Sequence, residues 1–279
     1  MIEWYTHEHR SQHPYPTGAV TYSEDILATQ KGRWESFIGE KESGKNITIA
    51  TCLPNKKTTA RKIDTDLLIQ YLHRYRYTNP LQVSRDIASQ NESVFITAYK
   101  AMKARLINDG HRAVFVPMMI RKPPFFDEEK YSDRIIWFGS LFSTKMPMFR
   151  LMKEKTKHHG LQMDVISKGQ FNGTPIDRER TFRILSKYRY GIGVGRCALE
   201  MYALGIRVII AGDEFGGIVC NPVDHAAQHG TNFNGRITTF DRDMDSCIEC
   251  LPDSCIPSQK FIEEISHAEL YRLQIYDGY

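Results

Sequence analysis

The chain has 279 residues, of which 41% are hydrophobic and 25% charged, a composition typical of globular proteins that excludes fibrous and low-complexity chains. No apolar run reaches the roughly 18 residues that a membrane-spanning helix requires, and the opening MIEWYTHEHR lacks the apolar core of a signal peptide. We therefore expect a cytoplasmic protein without a transmembrane segment, whose six cysteines are reduced thiols. The formal net charge of +4 arises mainly between Lys56 and Arg112, a stretch that either attracts a polyanion or forms a solvated helical face.

Four apolar runs in the first 120 residues are rich in β-branched and aromatic side chains and predict β-strands. They are IEWYT (2–6), NITIATCL (46–53), SVFITAY (93–99) and RAVFVPMM (112–119). DTDLLIQYLHRYR (64–76) and TAYKAMKARLINDGH (97–111) predict helices, and Gly110 stands where the second helix needs its C-terminal cap. RKPPFFDEEKYSD (121–133) has two prolines and a charge cluster without periodicity, so it predicts an interdomain linker.

Strands and helices alternate again after the linker. The predicted strands are RIIWFGSLF (134–142), LQMDVISKG (161–169), RYGIGVG (189–195) and IRVIIAG (206–212). The predicted helices are MPMFRLMKEKTKHHG (146–160), DRERTFRILSKY (177–188) and RCALEMYALG (196–205). Strands that alternate with helices of 10–15 residues indicate βαβ units. The sequence therefore predicts an α/β protein of two Rossmann-like domains, whose parallel sheets face each other across a cleft.

Three glycines in five positions open the segment GIGVGRCALE (191–200), where a predicted strand gives way to a helix. This is not the dinucleotide-binding GxGxxG pattern, because Arg196 stands where the third glycine would be. One interpretation is a tight strand-to-helix turn. The other is a phosphate-binding loop, since a helix N-terminus offers N–H donors and partial positive charge, and glycine lets a ligand approach the backbone. The carboxylate of Glu200 can accept hydrogen bonds from hydroxyl groups.

GVGRCALEMYALGIRVIIAG (193–212) resembles the donor-binding segment of the GT-B glycosyltransferases, particularly of the retaining family-four type. Both have a glycine-rich turn, a leucine–glutamate pair, a small residue with glycine, and then an apolar strand. DEFGGIV (213–219) and TNFNGR (231–236) are similar to the motifs that follow in that family, and IIWFGSLFSTK (135–145) to the first strand of its C-terminal domain. The βαβ pattern of residues 93–120 resembles the last unit of its N-terminal domain.

The resemblance implies the GT-B architecture over this chain. Residues 1–120 then form an acceptor-side Rossmann-like domain, and 134–258 a nucleotide-sugar-binding domain. Residues 259–279 form a final helix that braces the N-terminal domain. The co-substrate implied is a nucleotide-diphosphate sugar, such as a UDP-sugar, and no metal is obligatory.

The resemblance also implies roles for single residues. Glu200 corresponds to the glutamate that accepts hydrogen bonds from the ribose, and Lys145 to the lysine that binds the pyrophosphate. The other donor-binding residues are Gly18, Gly139, Ser140, Gly193, Gly195 and Arg196. Two positions differ from the family pattern, because Ile192 stands where the first of the family's two glutamates is usual and Ser140 where an arginine is usual. The sugar and the stereochemistry of transfer therefore stay open.

An inverting transferase needs a base that deprotonates the acceptor hydroxyl. The segment THEHRSQHPYPTGAVTYSED (6–25) follows the first predicted strand, at an edge where open α/β sheets bind ligands. It offers His7, His13 and Asp25 as catalytic candidates. Surface histidines and a histidine metal site are the alternative interpretations of this segment.

Three further patterns partly match metal sites, and for each the sequence favours a structural interpretation. DTD (64–66) fits a helix cap better than a metal-binding DxD, and His225 and His229 fit one helix face. CIECLPDSC (247–255) lacks a histidine soon after its cysteines and fits buried thiols better than zinc. We therefore predict no metal ligand.

The acceptor is predicted from HRYRY (73–77), where Arg74 and Arg76 alternate with aromatic rings that can stack on bases or hold phosphates. Compact phage DNA-base glycosyltransferases share the GT-B architecture, which implies a hydroxymethylated base in double-stranded DNA and a phage-infected or bacterial cytoplasm. The alternative acceptor is a bacterial surface glycan or a lipid-linked sugar. Two other classes remain, a GT-B sugar-nucleotide epimerase and a non-catalytic nucleotide-sugar binding module. The sequence leaves the oligomeric state open.

Overall fold

The computed structural model describes residues 2–5, 47–50, 67–72, 92–97, 99–115, 120, 123–124, 126, 128–219, 233, 235 and 243–254. The chain divides into two units. The first comprises Met1–Met119 with His267–Tyr279, and the second comprises Ile120–Ser266.

A five-stranded parallel sheet and a helix form the described part of the first unit. Its strands are β1 (Ile2–Tyr5), β2 (Ile47–Ala50), β3 (Leu67–Leu72), β4 (Glu92–Thr97) and β5 (Arg112–Phe115). They lie side by side in chain order, and every neighbouring pair is parallel. Helix α1 (Lys100–Asn108) connects β4 to β5 and packs Met102 and Leu106 against Phe95. The four strands predicted from the apolar runs and the helix before Gly110 are confirmed.

The prediction of a helix over residues 64–76 is wrong, because Leu67–Leu72 forms β3, the middle strand of that sheet. The run LLIQYL is almost continuously apolar, which suits a strand paired on both sides in a parallel sheet as well as it suits a buried helix. Backbone pairing with β2 and β4 decides between them, since every residue of β3 faces a residue of β4. The sequence pattern alone does not contain that information.

A seven-stranded sheet forms the centre of the second unit. Its strands are β6 (Tyr131–Phe138), β7 (Gln162–Ser167), β8 (Gln170–Phe171), β9 (Thr174–Pro175), β10 (Tyr188–Gly193), β11 (Arg207–Ala211) and β12 (Phe215–Ile218). They lie in the order β12-β11-β10-β6-β7-β8-β9. The four predicted strands are the parallel ones, β6, β7, β10 and β11. The short strands β8, β9 and β12 pair antiparallel at the two sides and were not predicted.

The protein is thus a mixed α/β protein whose sheets are mostly parallel, as the sequence predicted. The predicted linker ends earlier than expected, because its last three residues, 131–133, already belong to β6. Tyr131, Ser132 and Asp133 are exposed there, so this part of the strand lacks the apolar signal of its buried half.

Helices cover both faces of the second sheet. They are α2 (Met146–His158), α3 (Arg178–Leu185), α4 (Arg196–Ala203) and α5 (Met244–Glu249). On one face, Trp137 of β6 packs with Met152 of α2 and Ile248 of α5. On the other face, Met201 of α4 lies over Gly191 of β10, beside Ile136 of β6. Ile136 and Trp137 are consecutive residues of β6, and their side chains point to opposite faces of the sheet, as expected of a β-strand.

The strand order of the second sheet reverses at β6. The chain passes from β6 to β7 on one side, and later returns to place β10 on the other side of β6. Helices α2 and α4, which follow β6 and β10, lie on opposite faces of the sheet. Open α/β sheets bind their ligands at such a reversal of strand order, outside the carboxyl ends of the strands. We call this end of β6, β7, β10 and β11 the carboxyl edge.

Candidate functional site

Two glycine turns meet at the carboxyl edge. A Cβ atom added to Gly193, the last residue of β10, would lie 2.8 Å from the carbonyl oxygen of Phe138, the last residue of β6. Gly139 is the residue after Phe138, and its N–H donates to the carbonyl of Ile166 in β7. A Cβ atom on Gly139 would lie 3.9 Å from the sulfur of Cys197. Gly193 is thus required by the close approach of two strands, as the tight-turn interpretation anticipated.

Gly195 is the residue before α4 and has a φ of 57°, a left-handed conformation that favours glycine. Its N–H donates to the carbonyl oxygen of Phe233 over 2.7 Å, so this donor is engaged within the protein. Its carbonyl accepts the N–H of Leu199 and starts the helix. Gly195 therefore begins α4 and is tied to the segment that contains Phe233.

Glu200 lies in α4 and is buried in an ion pair. Its Oε1 accepts a hydrogen bond of 2.9 Å from Nε of Arg196, one turn earlier, and the two side chains are 7% and 9% exposed. Nη2 of Arg178, the first residue of α3, lies 3.6 Å from the same oxygen. Nε of Arg196 therefore binds the carboxylate, and the predicted contact of Arg196 with the donor stays a prediction. Arg178 was missed by the sequence analysis, because a charged residue at a helix start is common.

The pKa of the Cys197 thiol depends on the charged side chains around it. Burial raises the pKa of the Cys197 thiol to about 12, and the nearby Glu200 acts in the same direction. Lys145 and Arg196 act in the opposite direction, so both cations lie within electrostatic range of the sulfur. Lys145 directly precedes α2 and is half-buried. The structure thus brings together Lys145, Gly139, the start of α4 and Glu200, which are far apart in the sequence.

Side-chain hydrogen bonds hold the loops of the carboxyl edge. Thr144, in the loop after β6, donates its hydroxyl to Oδ1 of Asp213, in the loop after β11, over 2.8 Å. The N–H of Leu141 donates to Oγ of Ser167, the last residue of β7. These contacts fix the loop between Gly139 and Lys145 against the end of β7 and the loop after β11. Only the position of these residues after predicted strands could have indicated the contacts.

Ile192 is fully buried within β10, opposite Trp137 of β6 and Ile209 of β11. The family resemblance had placed the first of the family's two glutamates at this position. A carboxylate there would enter the apolar core that α2 and α5 cover, which is costly without a partner. At position 192 this chain therefore supplies apolar packing to the sheet and no charge to the carboxyl edge.

A second polar cluster lies away from the carboxyl edge and is structural. The buried Asp164 accepts hydrogen bonds from Arg134, Asn172 and Tyr188 at 2.7–2.9 Å. Burial raises the pKa of the Tyr188 phenol, and the hydrogen bond to Asp164 adds to this effect. Because the described donors satisfy both oxygens of Asp164, this carboxylate anchors β6, β10 and the β8–β9 hairpin to β7.

Several predicted residues lie outside the described residues. They are the catalytic candidates His7, His13 and Asp25, the donor residue Gly18, the acceptor residues Arg74 and Arg76, the pair His225 and His229, and the final segment 259–279. Ser140 is described and is half-buried beside Gly139. Among the described side chains, no three His, Cys, Asp or Glu residues are grouped to hold a metal ion. Nor does any described helix combine the length and apolar character needed to cross a bilayer.

No protein-family model matches the sequence. No curated protein matches it either. Among solved structures, the chain is similar to TarM at 11% identity and a TM-score of 0.49, over 83% of this chain and 53% of that one. A TarM mutant from S. aureus in complex with fondaparinux, α-GlcNAc-glycerol and UDP gives 10% identity, a TM-score of 0.48 and coverages of 84% and 54%.

The pneumococcal O-GlcNAc transferase GtfA, in complex with UDP and GlcNAc, gives 10% identity and a TM-score of 0.45. The match covers 84% of this chain and 57% of GtfA. The chain therefore spans a little over half the length of each of these three structures.

Proposed function

We propose that this chain is a glycosyltransferase that moves a sugar from a nucleotide-diphosphate sugar, such as a UDP-sugar, to an acceptor hydroxyl. The observation that carries the proposal is the meeting of two glycine turns, a lysine and a carboxylate where the strand order reverses. Open α/β sheets bind ligands at that point. A nucleotide diphosphate offers what these groups can recognise, namely ribose hydroxyl donors and an anionic pyrophosphate.

In this proposal each group at the carboxyl edge has one task. Glu200 accepts a hydrogen bond from a ribose hydroxyl, and Lys145 binds the pyrophosphate as a point charge. The backbone of Gly139 and Ser140 lies beside the phosphates. The first turn of α4 adds N–H donors and the positive end of the helix dipole. Nε of Arg196 holds Glu200 in place.

The reaction exchanges one bond for another at the anomeric carbon of the sugar. The bond to the diphosphate oxygen breaks, the bond to the acceptor oxygen forms, and the acceptor proton passes to a base. Negative charge grows on the departing diphosphate, so positive groups already in place lower the barrier. His7, His13 and Asp25 stay the predicted candidates for the base. With Ile192 in the core, a second carboxylate at the donor must come from another segment, if the chemistry uses one.

For the acceptor, we propose a hydroxyl of a surface glycan or of a lipid-linked sugar, in place of a base in DNA. The DNA hypothesis relied on the alternation of Arg74 and Arg76 with aromatic rings, and both arginines lie outside the described residues. In the sequence they follow Leu67–Leu72, a central strand of a parallel sheet. Open α/β sheets bind ligands outside the carboxyl ends of their strands, a position that suits a phosphate-bearing or polyhydroxylated acceptor.

The donor is tested by thermal unfolding with UDP, GDP, ADP and TDP, each alone and with common sugars attached. A nucleotide at 100 times its Kd stabilises the folded protein by about 2.7 kcal/mol, which is readily visible as a higher Tm. Glu200→Gln should weaken this stabilisation, whereas Glu179→Gln, at an exposed position on α3, should leave it unchanged. If no nucleotide raises the Tm of the wild-type protein, the proposed function is wrong.

The acceptor is tested by incubating the best donor with a surface glycan, a lipid-linked sugar or hydroxymethylated DNA, followed by mass spectrometry of the products. Transfer to either of the first two supports the proposal, and transfer to DNA alone restores the earlier hypothesis. Incubation with donor alone separates the remaining classes. An altered sugar indicates an epimerase, and binding without any product indicates a binding module.

A further inference from the structure

Arg178 lies at the carboxyl edge although it precedes β10 in the chain. Helix α3 ends just before β10 begins, so α3 runs antiparallel to that strand and starts at the end where β10 finishes. The start of α3 is fixed, because Asp177 caps it by accepting the N–H of Arg180 over 2.7 Å. The starts of α3 and α4 therefore lie at the same end of the sheet, and the 3.6 Å approach of Arg178 to Glu200 links them.

Both guanidinium groups contact the same oxygen of Glu200. Nε of Arg196 is 2.9 Å and Nη2 of Arg178 is 3.6 Å from Oε1. Within the described residues, Oε2 of Glu200 has neither a hydrogen bond nor an ion pair. One hydrogen bond from Nε of Arg196 leaves the carboxylate free to rotate about that contact. A second cation beside the same oxygen restricts this rotation and so fixes the direction in which the other oxygen points.

The two arginines differ in burial, which suggests different tasks. The side chain of Arg196 is 9% exposed and forms the core of the ion pair. The side chain of Arg178 is 37% exposed, and its guanidinium lies 5.5 Å from the centre of the Phe182 ring on the same helix. A half-exposed cation adds little to stability through an ion pair, because solvent screens the attraction. Its geometric effect on the carboxylate does not depend on that stabilisation.

We propose that Arg178 is a positioning residue for the nucleotide, which holds Glu200 so that Oε2 faces a ribose hydroxyl. This inference rests on the proposed function and adds a residue to it. Arg178 does not touch the reacting atoms. Its role is to orient the carboxylate of Glu200, which accepts a hydrogen bond from the ribose and so distinguishes a ribose from a deoxyribose. The wild-type protein should therefore prefer UDP over 2′-deoxy-UDP or 3′-deoxy-UDP, by about tenfold for one hydrogen bond to a charged acceptor.

The test compares Kd values for UDP, 2′-deoxy-UDP and 3′-deoxy-UDP by calorimetry. Arg178→Ala should weaken UDP binding by about threefold to fivefold, as expected of an exposed charge contact, and should leave the deoxy analogue of the recognised hydroxyl unaffected. The discrimination ratio then falls by the same factor. Arg178→Lys should restore part of the ratio. The matched control is Arg183→Ala, which removes an equal charge from α3; the guanidinium of Arg183 pairs with Glu179 and lies over the ring of Phe126, away from Glu200.

A merely structural or long-range electrostatic role predicts a different pattern. Arg178→Ala would then weaken all three nucleotides equally, or lower the Tm without changing the ratio, and either result overturns the inference. In a Glu200→Gln background the effect of Arg178→Ala on the ratio should disappear, because the two residues act through one contact. If Arg178→Ala does not fold, Arg178→Lys and Arg178→Gln carry the same comparison.

The inference and the proposed function fail in distinguishable ways. Nucleotide binding with an unchanged ratio in Arg178→Ala refutes only the positioning role. Absence of nucleotide binding in the wild-type protein refutes both.

Discussion

Replacing Glu200 by alanine should destabilise the second unit strongly. The carboxylate is 7% exposed and its partner Arg196 is 9% exposed, at 2.9 Å. Alanine would leave the guanidinium of Arg196 buried without its carboxylate, and losing one partner of a buried ion pair typically costs about 3–5 kcal/mol. That is a large fraction of the roughly 5–15 kcal/mol by which domains are stable. Glu200→Gln keeps an oxygen for Nε of Arg196, so it should cost about 1–2 kcal/mol.

The chain offers a matched control on α3. Glu179 also pairs with an arginine four residues later, Arg183, but these side chains are 74% and 56% exposed and 3.7 Å apart. Glu179→Ala should change the free energy of unfolding by less than about 0.5 kcal/mol. Urea unfolding, followed by tryptophan fluorescence and circular dichroism, measures all three variants against the wild-type protein. If Glu200→Ala and Glu179→Ala are equally stable, the burial of the first pair has no energetic consequence and the reasoning fails.

Three further predictions concern positions with a specific physical constraint. Gly193→Ala should destabilise the protein by about 1–3 kcal/mol, because its methyl group meets a backbone carbonyl of β6 that cannot rotate away; a wild-type Tm would contradict this. At pH 8, Cys197 should react with iodoacetamide at least about 100-fold more slowly in the folded than in the urea-unfolded protein, because its raised pKa keeps the thiol protonated. Peptide mapping measures the ratio of the two rates, and equal rates would contradict the prediction. Hydrogen bonds from Lys155 and then His159 lower the pKa of Asp245 in the folded protein. The contribution of Asp245 to stability is therefore present above its unfolded pKa near 4 and is lost as the pH falls through the lower folded pKa. Asp245→Asn should flatten the fall of Tm between about pH 5 and pH 3, and an unchanged profile would exclude this role.

The sequence was sufficient for the elements whose patterns have a local cause. Apolar runs bounded by turns predicted four parallel strands in each sheet, β1, β2, β4 and β5 in the first and β6, β7, β10 and β11 in the second. The cap residue Asp177 marked the start of α3, because its side chain accepts the N–H of Arg180 within the same turn. The glycine-rich turn before Arg196 predicted a strand-to-helix corner, and one was found.

The error over residues 64–76 and the missed edge strands have a different origin. Leu67–Leu72 is a strand because β2 and β4 lie on either side of it, more than ten residues away in the chain. The strands β8, β9 and β12 are two to four residues long, too short to show a period. In both cases backbone pairing with distant segments decides the conformation, and no local pattern records it.

The candidate site divides in the same way. The sequence by itself determined which residue types were available, namely glycines at two strand ends, Lys145 and Glu200, because their order along the chain matched a known pattern. Only the tertiary structure decided their relations. It turned Arg196 toward Glu200, sent Ile192 into the core and brought Arg178 to the carboxylate from a separate helix. The physical reason is that side-chain partners depend on distances between elements, and the strand order, which a sequence period does not encode, sets those distances.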